Sequence, residues 1–210
     1  MAVHLSDVEA RIFGSLIEKE LTTPDYYPLS LNALVNACNQ KSNRDPVVHY
    51  DDSTVLAAID MLRDKRLALM ITGGDNRVPK YSHRAYETLN LGKREISLLS
   101  ALILRGPQTV AELKDRTARM HEFDDMESVE ACLNRLAAPE QGSLVQRLER
   151  QPGLREPRWA HLLCGEPVVA QAMDPVFHPR PDPLASRVER LEAELESLKT
   201  QFAEFRKQFE

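Results

Sequence analysis

Much that would announce a catalytic or membrane protein is missing from this sequence of 210 residues. No run approaches the ~18 consecutive apolar residues of a membrane span. The start, Met1-Ala2-Val3-His4, has no signal-peptide pattern, so a cytoplasmic location is expected. The cysteines, Cys38, Cys132 and Cys164, are odd in number, widely spaced and form no CxxC pair. That spacing supports neither a disulfide framework nor a zinc site, and reads as buried, reduced thiols. Zincin chemistry fails because His121-Glu122 lacks the second histidine of HExxH. The Gly73-Gly74 pair is too short for a phosphate loop, and no GxSxG elbow occurs. Asp51-Asp52 and Asp124-Asp125 stand just before apolar-periodic runs, where carboxylates cap helices. The expectation is a protein that is not an enzyme and holds no cofactor or metal. Its net charge of −5 argues against indiscriminate nucleic-acid binding, so the distribution of charge matters more than its sum.

What the chain does contain is a duplication. Leu5, Glu9, Phe13, Leu16 and Ile17 match Leu91, Glu95, Leu99, Leu102 and Ile103 at one constant offset. Leu34 matches Leu113, the trio Val55, Ile59 and Leu62 matches Val129, Leu133 and Leu136, and Tyr81 matches Trp159. The offset changes only in polar or Pro-rich connectors, where insertions are tolerated.

Each copy spells the same elements. In the first, Ser6-Asp7-Val8-Glu9 is a capping box opening a helix over about 7–20, stopped at Thr22-Thr23-Pro24. Ser30 caps a second helix, and Asp51, Asp52 or Ser53 a third that carries Val55, Ile59 and Leu62. Leu67 to Ile71 and Val78 to Tyr81 read as strands around the turn Gly73-Gly74-Asp75-Asn76. Pro79 places the returning strand at a sheet edge. In the second, a helix over about 93–104 is followed by one from Thr109 through Arg119 and a third behind Asp124-Asp125. Strands at Leu144 to Leu148 and Pro157 to Leu162 close it. Three helices and a hairpin are the order of a winged helix-turn-helix. The fold class expected is α+β, mainly α with small hairpins. Two tandem winged-helix domains, 1–85 and 86–166, precede a Pro-rich linker, 167–183, and a helix over 184–210.

That last segment repeats apolar residues at alternating spacings of four and three: Leu184, Val188, Leu191, Leu195, Leu198, Phe202, Phe205 and Phe209. Such heptads predict a coiled coil and a homodimer. In a parallel pair Arg187 would face Glu192, and Glu194 would face Lys199. An amphipathic helix packed on its own chain is the alternative.

For binding, positive charge collects at the same place in both copies, the end of the third helix and the wing. The candidates are Arg63, Arg66, Arg77 and Lys80 in the first copy, and Arg147, Arg150, Arg155 and Arg158 in the second. Lys41, Asn43 and Arg44 in the polar insertion Asn39–Pro46 could meet an anionic partner. A winged helix puts its third helix in the major groove and its wing on phosphates, yet these third helices are poor in base-reading side chains and the second is acidic. The leading reading is a DNA-binding or transcription-associated protein whose partner is double-stranded DNA; the alternative partner is another protein.

The motifs resemble a known family. Thr-Pro-Asp-Tyr-Tyr-Pro-Leu-Ser-Leu-Asn-Ala-Leu (23–34), Ala-Cys-Asn-Gln-Lys-Ser-Asn-Arg-Asp-Pro-Val (37–47) and Asn-Arg-Val-Pro-Lys-Tyr (76–81) are similar to the YceH-like bacterial proteins. So are Leu-Arg-Gly-Pro-Gln-Thr (104–109), Arg-Met-His-Glu-Phe (119–123) and Arg-Glu-Pro-Arg-Trp (155–159). The resemblance covers about residues 5–165. It implies tandem winged-helix domains in a cytoplasmic protein and brings no catalytic residue. Tandem winged helices also serve as protein scaffolds, as in proteins similar to the segregation and condensation protein ScpB, which is the alternative to DNA binding.

Overall fold

In the computed structural model of the chain, residues 3–73, 76–150 and 156–166 are described, and all belong to one compact unit, Met1–Val168. The heptad residues Leu184 to Phe209 and the linker lie outside them. The architecture is α+β, with seven α-helices and two small antiparallel sheets among the described residues.

Helix α1 (Asp7–Thr22) begins with the expected capping box: the Ser6 N–H donates to Glu9 Oε2 at 2.7 Å, and the Glu9 N–H to Ser6 Oγ at 3.3 Å. After a 3₁₀ turn at Pro24–Tyr26, strand β1 (Leu29–Ser30) leads into α2 (Leu31–Cys38), capped by Ser30. Helix α3 (Asp52–Asp64) is capped by Asp51, whose Oδ1 accepts from the Thr54 N–H at 2.8 Å. Strands β2 (Ala68–Gly73) and β3 (Asn76–His83) follow. A short helix, α4 (Ala85–Leu89), is not evident from the sequence pattern and connects to the second copy. There, α5 (Lys93–Arg105), α6 (Val110–Thr117) and α7 (Met126–Ala137) precede β4 (Val145–Arg147) and β5 (Trp159–His161). Helix α6 ends at Thr117, short of Arg119, and runs into a turn in which the N–H groups of Met120 and His121 share the Thr117 carbonyl.

One expectation is corrected. Pro79 does not mark an edge strand: β3 is the centre of a sheet ordered β1-β3-β2. The missing N–H is tolerated because β1 is only two residues long and pairs with Lys80 and Tyr81, short of Pro79. On the β2 side, Pro79 falls beside the irregularity between Ile71 and Gly73.

The duplication is visible in the pairing. Leu29, just before the Ser30 cap, pairs with Tyr81; Gln108, just before the Thr109 cap, pairs with Trp159. Tyr81 and Trp159 are both buried, at 3% exposure. Apolar side chains of both copies form one continuous core, from Phe13, Ile59 and Leu62 to Leu99, Leu133 and Leu136. Burying each such side chain contributes about 1.5–3 kcal/mol.

Helices α1 and α5 join the copies, which explains why α1 is buried on every side from Glu9 to Ile17. Their approach depends on Gly14: a Cβ there would stand 2.8 Å from Ile103 Cγ2. The Ser100 hydroxyl donates to the Gly14 carbonyl at 3.1 Å, so small residues let the backbones meet.

Candidate functional site

The polar insertion between α2 and α3 is ordered by its own side chains. Asn39 clasps its far end: Nδ2 donates to the Tyr50 carbonyl at 2.7 Å, and the Tyr50 N–H donates to Oδ1 at 2.8 Å. Arg44 turns inward. Its side chain is 0% exposed and forks onto Glu18, at 3.1 Å to Oε1 and 2.6 Å to Oε2. It also donates to the carbonyls of Ala37 and Asn43. The loop is tied to the second copy as well, since the Asp45 N–H donates to the Leu104 carbonyl. Arg44 therefore spends its donors inside the protein, and its neighbours Lys41 and Asn43 stay exposed.

Those two residues line a cleft of about 470 Å³ where the copies meet. Its other walls come from the last turn of α1, with Lys19, the end of α5, with Arg105, and the end of α6 and its following turn, with Arg116 and Arg119. Five cations thus share the cleft with one carboxylate, Glu18, which bonds Arg44 and pairs with Lys19 at 3.7 Å. Burial lowers the pKa of Arg105, and the nearby Arg116 lowers it further. Arg116 is held by Gln108 Oε1 at 2.8 Å and Glu112 Oε1 at 3.4 Å. Among the described residues, Lys41, Arg105 and Arg119 have no ion-pair partner. The sequence pattern does not reveal this cluster. Lys19, Arg105 and Arg116 read there as ordinary cations in last helical turns, where they complement the helix dipole.

The remaining candidates are scattered. Arg63 pairs with Asp60 at 2.6 Å on its own helix. Arg66 is exposed at a positive φ of 59° just after α3. Arg158 is held by the Pro107 carbonyl at 2.7 Å and Glu112 Oε2 at 2.9 Å. Arg147 and Arg150 are exposed, and Lys80 is half-buried on the strand face shared by Leu69, Ile71 and Val78. Arg155 and the Arg77 side chain lie outside the described residues.

The third helices are unlike groove readers. Toward solvent α3 presents Asp52, Asp60 and Asp64 with Leu56 and Met61, the last 51% exposed. On α7 the solvent side carries Glu127 and Glu130 with Met126, and Arg135 is drawn to Glu95 at 3.0 Å. Carboxylates in these positions repel phosphate.

The cysteines are poor nucleophiles. Burial pushes the thiols of Cys38 and Cys164 up to about 11 and that of Cys132 up to about 12, away from the thiolate form that reacts. Among the described residues, no three His, Cys, Asp or Glu side chains are grouped to hold a metal ion, and no helix is long and apolar enough to cross a membrane.

Comparison with known proteins gives the same grouping as the motifs. A family model described as "Protein of unknown function, DUF480" matches residues 5–154. A UPF0502 protein of Solibacter usitatus is 50% identical over 206 residues, covering 98% of each chain. One of Geotalea uraniireducens is 55% identical over 172 residues, 82% of this chain and 78% of the relative. One of Vibrio vulnificus is 46% identical over 219 residues, 98% of this chain and 97% of the relative. The chain belongs to the DUF480 family, the group of UPF0502 proteins to which its YceH-like motifs point.

Proposed function

We propose that the protein is a non-enzymatic, tandem winged-helix docking module that binds another protein. The observation that carries this reading is the character of the two third helices. Both expose carboxylates beside apolar side chains: Asp60 and Asp64 with Leu56 and Met61, and Glu127 and Glu130 with Met126. Charge complementarity selects the partner: a protein segment with Lys or Arg flanking apolar anchors, whose cations meet the acidic rim. The C-terminal heptads would pair two chains in a coiled coil and present the surface twice, which strengthens weak docking through effective concentration.

Double-stranded DNA is the second reading, supported by the exposed Arg147 and Arg150 on the second wing. Titration with a random duplex over a range of salt separates the two. Docking predicts no binding at low salt. It also predicts a captured partner that is released by Asp60→Lys with Met61→Asp and retained by Arg147→Ala with Arg150→Ala. Duplex binding whose log affinity falls steeply with log salt, lost in the wing variant, overturns docking in favour of DNA. The solution mass of the full chain against one ending at Pro183 tests the dimer. Equal monomeric masses would mean that the heptads do not pair chains.

A further inference from the structure

We propose that the cleft between the two copies is a binding site for a small phosphate-bearing ligand of the diphosphate class. This assignment is independent of the docking surface.

Three features build the site. The first is concentration of charge. Lys19, Lys41, Arg105, Arg116 and Arg119 line a single cleft. Its one carboxylate, Glu18, pairs with Arg44 at 2.6 Å and Lys19 at 3.7 Å, and Glu112 holds Arg116, so Lys41, Arg105 and Arg119 are the cations without an ion-pair partner among the described residues. Ends of three helices contribute to the walls. Each helix C-terminus carries about half a negative charge, so together they offset only part of the five cations. The second is the chemistry of the donors. Arg105 and Arg119, with no ion-pair partner among the described residues, offer planar forks that match phosphate oxygens two at a time. Lys41 adds a mobile point charge, and the Asn43 amide a neutral donor. The third is preorganisation. The loop bearing Lys41 and Asn43 is anchored by the fully buried Arg44 and by the Asn39–Tyr50 clasp. The wall therefore exists before a ligand arrives, which reduces the ordering cost of binding. This gives the insertion Asn39–Pro46 a role: it carries Lys41 and Asn43 to Arg105, Arg116 and Arg119.

Size and surroundings favour a small ligand over a nucleic-acid strand. The volume of about 470 Å³ falls in the ordinary range of small-molecule sites. The acidic third helices and the net charge of −5 disfavour the approach of a long polyanion.

Calorimetric titration of the full chain with sodium pyrophosphate, at ionic strength held constant with sodium chloride, tests the site. One pyrophosphate is expected to bind per chain, with orthophosphate weaker. Arg105→Gln with Arg119→Gln should weaken binding by about tenfold or more for each guanidinium lost. Arg147→Gln with Arg150→Gln should leave it unchanged. Lys41→Gln, in an exposed loop, should weaken binding without altering thermal unfolding, so a folding defect in the double variant cannot decide the result. Three results would each overturn the assignment: no pyrophosphate binding to the native chain, equal weakening in both arginine pairs, or a random duplex binding the cleft where pyrophosphate does not.

Discussion

Replacing Glu18 with alanine should be among the most damaging single changes in the first copy. Arg44 is 0% exposed at its side chain, and Glu18 is its only carboxylate partner among the described residues. Five hydrogen bonds hold the guanidinium: two to Glu18, at 2.6 and 3.1 Å, two to the Ala37 carbonyl, at 2.8 and 3.1 Å, and one to the Asn43 carbonyl at 2.9 Å. Glu18→Ala removes the countercharge and leaves the cation desolvated, an effect of about 3–5 kcal/mol. For a domain of this size each kcal/mol shifts Tm by about 2–4 °C, so Tm should fall by roughly 6–20 °C. Two-state thermal and urea unfolding would measure it. A second comparison isolates the cause. If the damage comes from an uncompensated buried charge, Arg44→Met with Glu18→Leu, which removes both charges, should be more stable than Glu18→Leu alone. A loss below about 1 kcal/mol in Glu18→Ala, the range of an exposed pair, would show that solvent reaches Arg44 and would refute the anchoring argument.

Gly14→Val should destabilise the α1–α5 contact by at least about 1–3 kcal/mol, because even a Cβ would meet Ile103 Cγ2 at 2.8 Å; unchanged urea unfolding would show that α5 can retreat without cost. Burial alone would raise the pKa of Glu9 and Glu112, but Lys65 and Ser6 around Glu9, and Thr109, Arg158 and Arg116 around Glu112, outweigh it and hold both below the ordinary value of 4.5. Their stabilisation is complete above that value and is lost as pH falls through the depressed folded values. Glu9→Gln with Glu112→Gln should therefore flatten the acid side of the stability–pH curve, and an unchanged acid limb would contradict this. Burial lowers His161 from 6.5 to about 4, so the unfolded chain takes up the proton first. Stability from this residue is complete above 6.5 and declines as pH falls toward about 4. Its imidazole signals in an NMR titration should move near 4, and titration at the ordinary value would place the ring in water.

Local signals in the sequence determined the helices and their caps. Ser6, Ser30, Asp51, Thr109 and Asp125 each stand one residue before a helix, and each side chain accepts from the backbone three residues on. Capping and apolar periodicity are short-range effects, so a reader of residues in order can see them. The matched aromatics Tyr81 and Trp159 were legible because they stand at the same place in the two copies. The two-residue strand β1 was not, because its pairing with Lys80 and Tyr81 joins segments some fifty residues apart and leaves no local pattern. That long-range pairing also explains why Pro79 misled: proline reports a missing donor, not which neighbour goes without it.

The binding surfaces divide along the same line. Charge type is written in the sequence, but charge availability depends on what lies opposite in space. Arg44 and Arg158 looked equivalent to Lys41 and Arg147 until Glu18 and Glu112 came within about 3 Å of them, whereas the Arg63–Asp60 pair, three residues apart on one helix, follows from spacing alone. Lys19, Arg105, Arg116 and Arg119 looked unrelated until α1 packed on α5 through Gly14 and brought the helix ends into one cleft. The sequence by itself determined the duplicated unit, its helices and its family. Only tertiary structure decided which distant charges meet and which cations stand together at a cleft, because contact between segments far apart in sequence requires proximity that no spacing along the chain encodes.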